Sequence, residues 1–439
     1  VPHAEPDIVK QEPPILPNPG NRSMTDRCLL PRRAYVVSQF PEFCETFILN
    51  EMVELGRRGA PFEIFSLKAC RDAQFQPGAR ELMENATHYC PPVYHPSVIW
   101  SHLTAAARRP AVYFSTFLLA LRAFAGPSHV LAKTLYVFCQ AAWFARIARR
   151  RGLAHVHAHW ASIPSSAGLF IARLAGATFS LTAHAYDIFI DRTLLREKLH
   201  AARYVITCTR YNRRFLLDTY PDVPPEKIRA IYHGVDLSAF TGRRDPAQEE
   251  PVILSVGRLC DTKGFPDLID ACALLRERGL RFSCRIVGDG YMREELEARI
   301  RQRGLEDWVE IAGLLPRVDV IERYRRARLF VLPCVVTPRG DRDGLPNVVI
   351  EAMAMGLPVV ATDVSALPEA VEDGVTGRLV TSHAPEAIAD AVEDLWRNGP
   401  LRARMGAEGV RRVRERFALE DNIEKLAAFV HERDGGVGD

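Results

Sequence analysis

From about residue 34 onward the chain alternates short β-branched or aromatic runs with longer stretches whose apolar positions recur at helical spacing. The first kind suits strands buried on both faces, the second helices with one apolar stripe. In the first half this pattern predicts strands at 34–38, 62–67, 154–158, 178–183, 203–208 and 228–232, with helices between them and a long helical stretch over 98–150. A polar segment at 236–250, with proline and glycine in it, interrupts the rhythm. Alternation then resumes with strands at 252–256, 282–287, 308–312, 329–332 and 358–361 and helices at 265–278, 291–303, 317–326 and 346–356. Helical segments at 384–397, 400–416 and 420–431 close the chain.

Strands that alternate with helices form parallel sheets covered on both faces. The expected class is therefore α/β, with two doubly wound, Rossmann-like domains facing a central cleft. A length of 439 residues agrees with two large domains. The expected boundaries are an N-terminal domain over 31–235, a linker over 236–250 and a second domain over 251–418. A C-terminal helix and tail follow over 419–439, with a return to the first domain open to them. Residues 1–30, Pro-rich and polar, are expected to be a disordered extension, and no apolar core of a signal peptide is seen there. As Val1 opens the chain and Met24 follows, an extended start is also open.

Composition narrows the class. With 47% apolar and 25% charged residues, the chain has the balance of a soluble globular protein. The ten cysteines are scattered without a CxxC pair, which predicts neither a zinc cage nor a disulfide framework and points to a reducing, cytoplasmic setting. A net charge of +3 says little, but its distribution is uneven. Between Glu84 and Asp187 there is no acidic residue, while Arg108, Arg109, Arg122, Lys133, Arg146, Arg149, Arg150, Arg151 and Arg173 all fall there. The apolar runs in this segment, 111–121 and 135–147, are shorter than the ~20 residues needed to span a bilayer. A solvated basic face and a surface for anionic lipid or a phosphate-bearing acceptor are both open; nucleic acid is not expected, since no groove-reading motif accompanies the charge. The second of these readings places the protein at the inner face of the cell membrane.

The densest chemistry lies in DGLPNVVIEAMAMGLPVVAT, residues 343–362. Gly344, Leu345 and Pro346 form a short loop into a helix beginning near Asn347, where unpaired N–H groups and the helix dipole suit a phosphate. Glu351, one turn further in, can accept two hydrogen bonds from a vicinal diol such as ribose, and Asp343 sits at the loop mouth. In SVGRLCDTKGFPDLI, residues 255–269, Gly257 follows a strand, and Arg258 and Lys263 lie on the loop before a helix. Two cations from one loop can neutralise a leaving diphosphate in place of a metal ion.

Together GRLCDTKG and DGLPNVVIEAMAMGLPVV resemble the retaining GT-B glycosyltransferases of glycosyltransferase family 4. SQFPEFCETFILNEM at 38–52, HAHWA at 157–161 and TAHAYDIF at 182–189 resemble the subgroup that builds exopolysaccharides such as colanic acid. The likeness covers roughly residues 33–430. It implies a UDP- or GDP-linked sugar as donor, a saccharide or polyprenyl-diphosphate-linked acceptor, retention of configuration and no metal cofactor. It also implies roles for residues. Arg258 and Lys263 match the diphosphate-binding pair, Glu351 the ribose ligand, Asp343 with Gly344 and Leu345 the sugar and phosphate contacts, and His184 a histidine near the reacting sugar. In the family hallmark Glu is commoner than Asp at position 343, and PEFCETF stands where a glycine-rich loop is usual, with Glu45 and Thr46 at a helix start.

His155, His157 and His159 alternate on one strand face, and no carboxylate is expected near them, so a metal site is not predicted there. His159 and Asp187 remain candidates for lining the cleft, and His184 as a core histidine is the plain alternative to a catalytic one. An inactive nucleotide-sugar-binding regulator on the same fold is a second functional class. A dinucleotide oxidoreductase is a third, against which no GxGxxG follows the strand at 34–38.

Overall fold

The computed structural model describes residues 32–42, 46–57, 61–70, 79–125, 128–240 and 249–434. The expected disordered extension, most of the linker and the last five residues lie outside these. The first half comprises β1 (Arg33–Phe40), α1 (Thr46–Arg57), β2 (Phe62–Ala69), α2 (Ala79–Asn85), β3 (Thr87–Tyr89), α3 (Pro96–Arg108), α4 (Pro110–Leu121), α5 (Ser128–Arg151), β4 (His155–His159) and α6 (Ile163–Ala175). It continues with β5 (Thr178–Ala183), α7 (Tyr186–Phe189), α8 (Leu195–Ala201), β6 (Val205–Thr207), α9 (Arg210–Thr219) and β7 (Ile228–Ala230). The second half begins with β8 (Val252–Val256), α10 (Phe265–Glu277), β9 (Ser283–Val287), α11 (Arg293–Gln302), β10 (Val309–Gly313), α12 (Arg317–Arg326) and β11 (Leu329–Leu332). Then come α13 (Asn347–Ala354), β12 (Val359–Thr362), α14 (Leu367–Ala370), β13 (Gly377–Val380), α15 (Pro385–Arg397), α16 (Gly399–Phe417) and α17 (Leu419–Asp434).

The strands form two sheets, ordered β3-β2-β1-β4-β5-β6-β7 and β10-β9-β8-β11-β12-β13, and every ladder is parallel. This is the doubly wound α/β architecture expected of a GT-B protein. In each sheet the winding reverses once, between β1 and β4 and between β8 and β11, which opens a crevice at the carboxyl edge. β1, β4, β8 and β11 are buried along most of their length, as central strands of such sheets must be.

Three details depart from the sequence pattern. The helical stretch over 98–150 is divided into α3, α4 and α5, at breaks the pattern did not place. Pro110 cannot continue α3, since it lacks an N–H, and instead opens α4 at its first turn. The short strands β3 and β13 were not predicted, because three or four residues carry too little periodicity.

The chain crosses between domains twice at one place. Val235 donates its N–H to Phe417 O at 2.8 Å, and Leu419 donates to Val235 O at 3.1 Å. From there α17 runs back over the first domain, where Ile423, Leu426, Phe429 and Val430 share a core with Tyr35, Ile48, Met52 and Ile206. At its end Asp434 lies 3.3 Å from the guanidinium of Arg33, both side chains almost wholly buried. Removing one partner of such a pair leaves an uncompensated buried charge. Asp434→Ala is therefore expected to lower stability by about 3 kcal/mol or more in urea denaturation, and Asp434→Asn by less; a change within experimental error for both would show that α17 is held by apolar packing alone.

Candidate functional site

The loops at the carboxyl edge of the second sheet are drawn together by close backbone contacts. Gly264 adopts φ 67° with Pro333 O so near that a Cβ would stand 1.8 Å from it, and only glycine fits. The loop after β8 is thereby pressed against the loop after β11. Lys263 then reaches across to Asp343, with Nζ 3.0 Å from Oδ2, and the Thr262 hydroxyl donates to the same oxygen at 3.3 Å. Burial, the largest single influence, would lower the Lys263 pKa, but the Asp343 charge and hydrogen bond together with Cys334 and Cys260 outweigh it and the net shift is upward. Lys263 is thus a firmly charged ammonium at the switch point. Gly257 packs on its stem, where a Cβ would meet Cδ and Cε at 3.4 Å, and Arg258 stands exposed beside it. The Arg258 charge offsets part of the rise that burial imposes on the Asp341 carboxyl.

Gly344, Leu345 and Pro346 lead into α13, whose first turn at Asn347 has no side-chain cap. Its leading N–H groups lack intrahelical partners, as at any helix start. Glu351, one turn in, accepts from the Tyr324 hydroxyl at 3.1 Å. Burial raises the Glu351 pKa, while that hydrogen bond and the charge of Arg317 work against the rise.

The opposite wall comes from the first domain. A Cβ on Gly344 would lie 3.4 Å from His184 O and 3.5 Å from Cys208 Sγ, so the 343–346 loop abuts the end of β5. His184 is buried and clamped: Trp160 lies 4.2 Å away by ring centroids, and Nδ1 is 3.1 Å from His233 Nε2. Burial first, and then the charge of His233, hold His184 well below the ordinary histidine pKa, so its ring is neutral. Its Nε2 has no hydrogen-bond partner among the described residues. Phe47, at the start of α1, stacks on His233 at 4.4 Å.

Two cleft candidates are corrected. Asp187 does not line the cleft: it is fully buried, and its carboxylate accepts from the backbone N–H groups of Ala161 at 2.6 Å, Ala185 at 2.8 Å and His184 at 3.1 Å. It ties the loops after β4 and β5 together and so positions His184. His159 is likewise fully buried, behind His184 at 5.9 Å between ring centroids. The expectation that no carboxylate lies near the histidines of β4 also fails, since Glu51 of α1 is 3.4 Å from His159 Nε2 and Asp434 is 3.8 Å from His155 Nδ1. Side chains distant in sequence supply these carboxylates. Glu51, His157 and His159 have ligand atoms within 4.8 Å of one another, as do His184, Cys208 and His233. In the first group both His157 nitrogens are engaged, by Ser180 and Thr182 at 2.7 and 3.0 Å. Glu45 lies outside the described residues, and Thr46 opens α1.

Sequence reasoning missed the residues that hold the walls together. Glu369 accepts from the N–H groups of Arg210 and Tyr211, at 3.0 and 2.7 Å, capping α9 from the other domain. The Tyr232 hydroxyl donates to it at 2.5 Å. Arg342 donates to the Tyr211 hydroxyl at 2.7 Å and lies over the Phe189 ring. His233 was the one with a local signal, standing in YHGVD just before the linker.

Residues 45–239 match Glycosyltransferase Family 4 and residues 238–412 match Glycosyl transferases group 1. Models of glycosyltransferase families thus match both halves of the chain, one after the other. It is 39% identical over 175 residues to a putative colanic acid biosynthesis glycosyltransferase, WcaL, of Salmonella typhimurium, which covers 40% of this chain and 43% of that protein. It is 36% identical over 170 residues to the amylovoran biosynthesis glycosyltransferase AmsK of Erwinia amylovora, covering 38% and 41%. The matched region is thus about two fifths of these relatives' own length. A Mycobacterium tuberculosis GDP-mannose-dependent mannosyltransferase is 28% identical over 277 residues, covering 59% and 71%. In fold, this chain resembles Anabaena HepE, solved with UDP and glucose, at a TM-score of 0.67 and 16% identity over 92% of this chain and all of that one.

Neutral buried histidines make the stability of this protein sensitive to acid. His155, His157, His184 and His233 all have lowered pKa values, burial being the first cause in each, and His233 falls to about 4. A base with a depressed folded pKa binds more protons when unfolded, so its contribution is complete above about pH 6.5 and declines as pH falls below that. Asp187, raised by burial, acts in the opposite sense. Unfolding free energy, and melting temperature with it, is expected to fall as pH drops from about 6.5 to about 5, by up to about 1.4 kcal/mol per pH unit for each such histidine. His233→Gln is expected to melt with a shallower pH dependence; an unchanged slope would remove His233 from the account.

Proposed function

We propose that this protein moves a hexose from a nucleotide-sugar, UDP- or GDP-linked, to a glycan or a lipid-linked saccharide in cell-surface or exopolysaccharide biosynthesis. The observation that carries this reading is the junction at the switch point of the second sheet. There Lys263 pairs with Asp343, Arg258 stands beside them, and the start of α13 and Glu351 follow in one continuous path. Each feature suits one part of a nucleotide-sugar. The two cations stabilise the diphosphate as it leaves, and the uncapped α13 start adds N–H donors for its oxygens. Glu351 takes the ribose diol, and Asp343 a hydroxyl of the donor sugar. His184, neutral and with one nitrogen free of protein partners, faces this group across the domain boundary.

The reaction breaks the bond between the sugar C1 and the diphosphate oxygen, and joins C1 to the acceptor hydroxyl oxygen on the same face. The acceptor proton passes to the leaving diphosphate, so configuration is retained without a protein nucleophile. Names among the relatives support the setting: colanic acid and amylovoran are the products named for WcaL and AmsK. GDP-mannose and UDP are both named among similar proteins, and both nucleotides stay in the proposal. Arg258 and Lys263 take the place of a divalent ion. The acceptor side is assigned to the first domain, where a polyprenyl-diphosphate carrier would meet the basic segment at the inner face of the cell membrane. No helix of the described residues is long and apolar enough to cross that membrane.

Glu351→Gln is expected to keep the fold and weaken donor binding by roughly 1.5–3 kcal/mol, the worth of hydrogen bonds to a charged group. Calorimetry with UDP- and GDP-sugars measures this, and equal affinity in the variant would sink the ribose assignment. Binding without transfer to any saccharide acceptor would favour the inactive regulator.

Transfer is expected to persist in EDTA, and Arg258→Lys to restore only part of the activity lost in Arg258→Ala, because lysine lacks the planar two-pronged donor set. Loss of transfer on chelation, with recovery on adding Mn²⁺ or Mg²⁺, would overturn the metal-free mechanism.

A further inference from the structure

Eight of the thirteen exposed large apolar side chains among the described residues fall between residues 94 and 136. On α3, Ile99, Trp100 and Leu103 are 50–58% exposed, on the side away from buried Val98, Ser101 and Ala105. On α4, Phe114 and Leu118 are 57% and 62% exposed, with Phe117 beside them, while Thr116 and Ala120 face inward. Positions 114, 117 and 118 share one helical face. These helices pack on α5 and α6, and although Phe114 touches Tyr113 and Phe117 touches Phe138, the outer side of the ridge stays exposed.

Charge surrounds the ridge. Arg108 and Arg109 stand at the joint between α3 and α4, exposed and without an ion pair among the described residues. Arg149 of α5 lies near both, and their charges, after burial, lower its pKa. Its own guanidinium is held by Leu174 O at 2.6 Å. Arg108 and Arg109 thus stand at the joint with no carboxylate paired to them among the described residues, so an anionic group approaching there meets no competing acid. Other cations of the segment are already engaged: Arg173 bonds Ser115 and Thr116, Arg122 lies 3.7 Å from Glu197, and Arg151 lies 3.8 Å from Glu63.

We infer that the α3–α4 ridge is a membrane-insertion surface, which seats Trp100, Leu103, Phe114 and Leu118 in an anionic leaflet while Arg108 and Arg109 receive its phosphate groups. The charge complementarity selects a lipid surface over an apolar protein partner. α4 has twelve residues, about 18 Å of helix, so it lies in the interface rather than crossing a core of ~30 Å. The inference deepens the proposed membrane setting of the acceptor and is independent of the donor site.

Flotation with vesicles of phosphatidylcholine, alone or mixed with phosphatidylglycerol, tests it. The wild type is expected to float with the mixed vesicles and weakly with the neutral ones. Phe114→Ser with Leu118→Ser is expected to bind mixed vesicles at least about tenfold more weakly, since both apolar anchors are lost. Arg108→Gln with Arg109→Gln is expected to abolish the preference for the anionic lipid. Brominated lipid is expected to quench fluorescence in the wild type and not in Trp100→Phe. Donor binding in solution, measured on the same variants, is expected to be unchanged, so failure of the donor reading would leave this result standing. Equal flotation of the Phe114/Leu118 variant would overturn the proposal. So would a wild-type dimer that this variant dissolves, with no quenching by lipid, because a second copy would then cover the ridge.

Discussion

A parallel sheet cannot be closed by tight hairpins, so every strand must return by a crossover, and all strand carboxyl ends collect on one edge. The rest of this molecule depends on that constraint. Two such sheets in series present two edges, and each winding reversal leaves a crevice where loops diverge. Lys263, Asp343 and the start of α13 occupy that place in the second domain, and His184 follows a strand of the first. Gly264 shows how tightly the edge is packed, because a single methyl group there would collide with the backbone of the next loop.

Joining the two edges is left to a few polar contacts and one helix. Glu369 satisfies two orphan N–H groups at the start of α9 and accepts from Tyr232, while Thr209 caps the next N–H of the same helix. A carboxylate at a helix N-terminus is favoured by the dipole as well as by the hydrogen bonds. α17 strengthens the connection by burying four apolar residues in the core of the first domain, with the Arg33–Asp434 pair at its end.

Electrostatics divides the site into two unlike walls. On the second-domain side, Lys263 stays charged because Asp343 and its other neighbours offset its burial. On the opposite side the histidines are neutral, because burial and mutual repulsion both disfavour their protonated forms. A charged wall suits a diphosphate; a neutral imidazole suits a hydroxyl. The same logic sorts the basic segment of the first domain, where Arg149 and Arg173 are used to hold helices and Arg108 and Arg109 are not.

The strands, most of the helices and the position of the two loops that hold Gly257, Arg258, Lys263 and the 343–351 run were legible in the sequence, because buried parallel strands and amphipathic helices leave periodic signatures and because loops and helix starts are marked by local residue chemistry. The breaks within 98–150, the short β3 and β13 and the roles of the first-domain residues were not. Whether Asp187 faces solvent or three backbone N–H groups depends on where two loops meet, and whether His159 has a carboxylate beside it depends on how α1 packs over β4. Glu369, Arg342 and His233 act through partners 131 to 159 or 49 residues away. Residue types and spacing alone determined the fold of this protein and the make-up of the loops at the edge of its second sheet. Tertiary structure decided the other wall, since burial and long-range pairing set the charge of its histidines and the neighbours of its carboxylates.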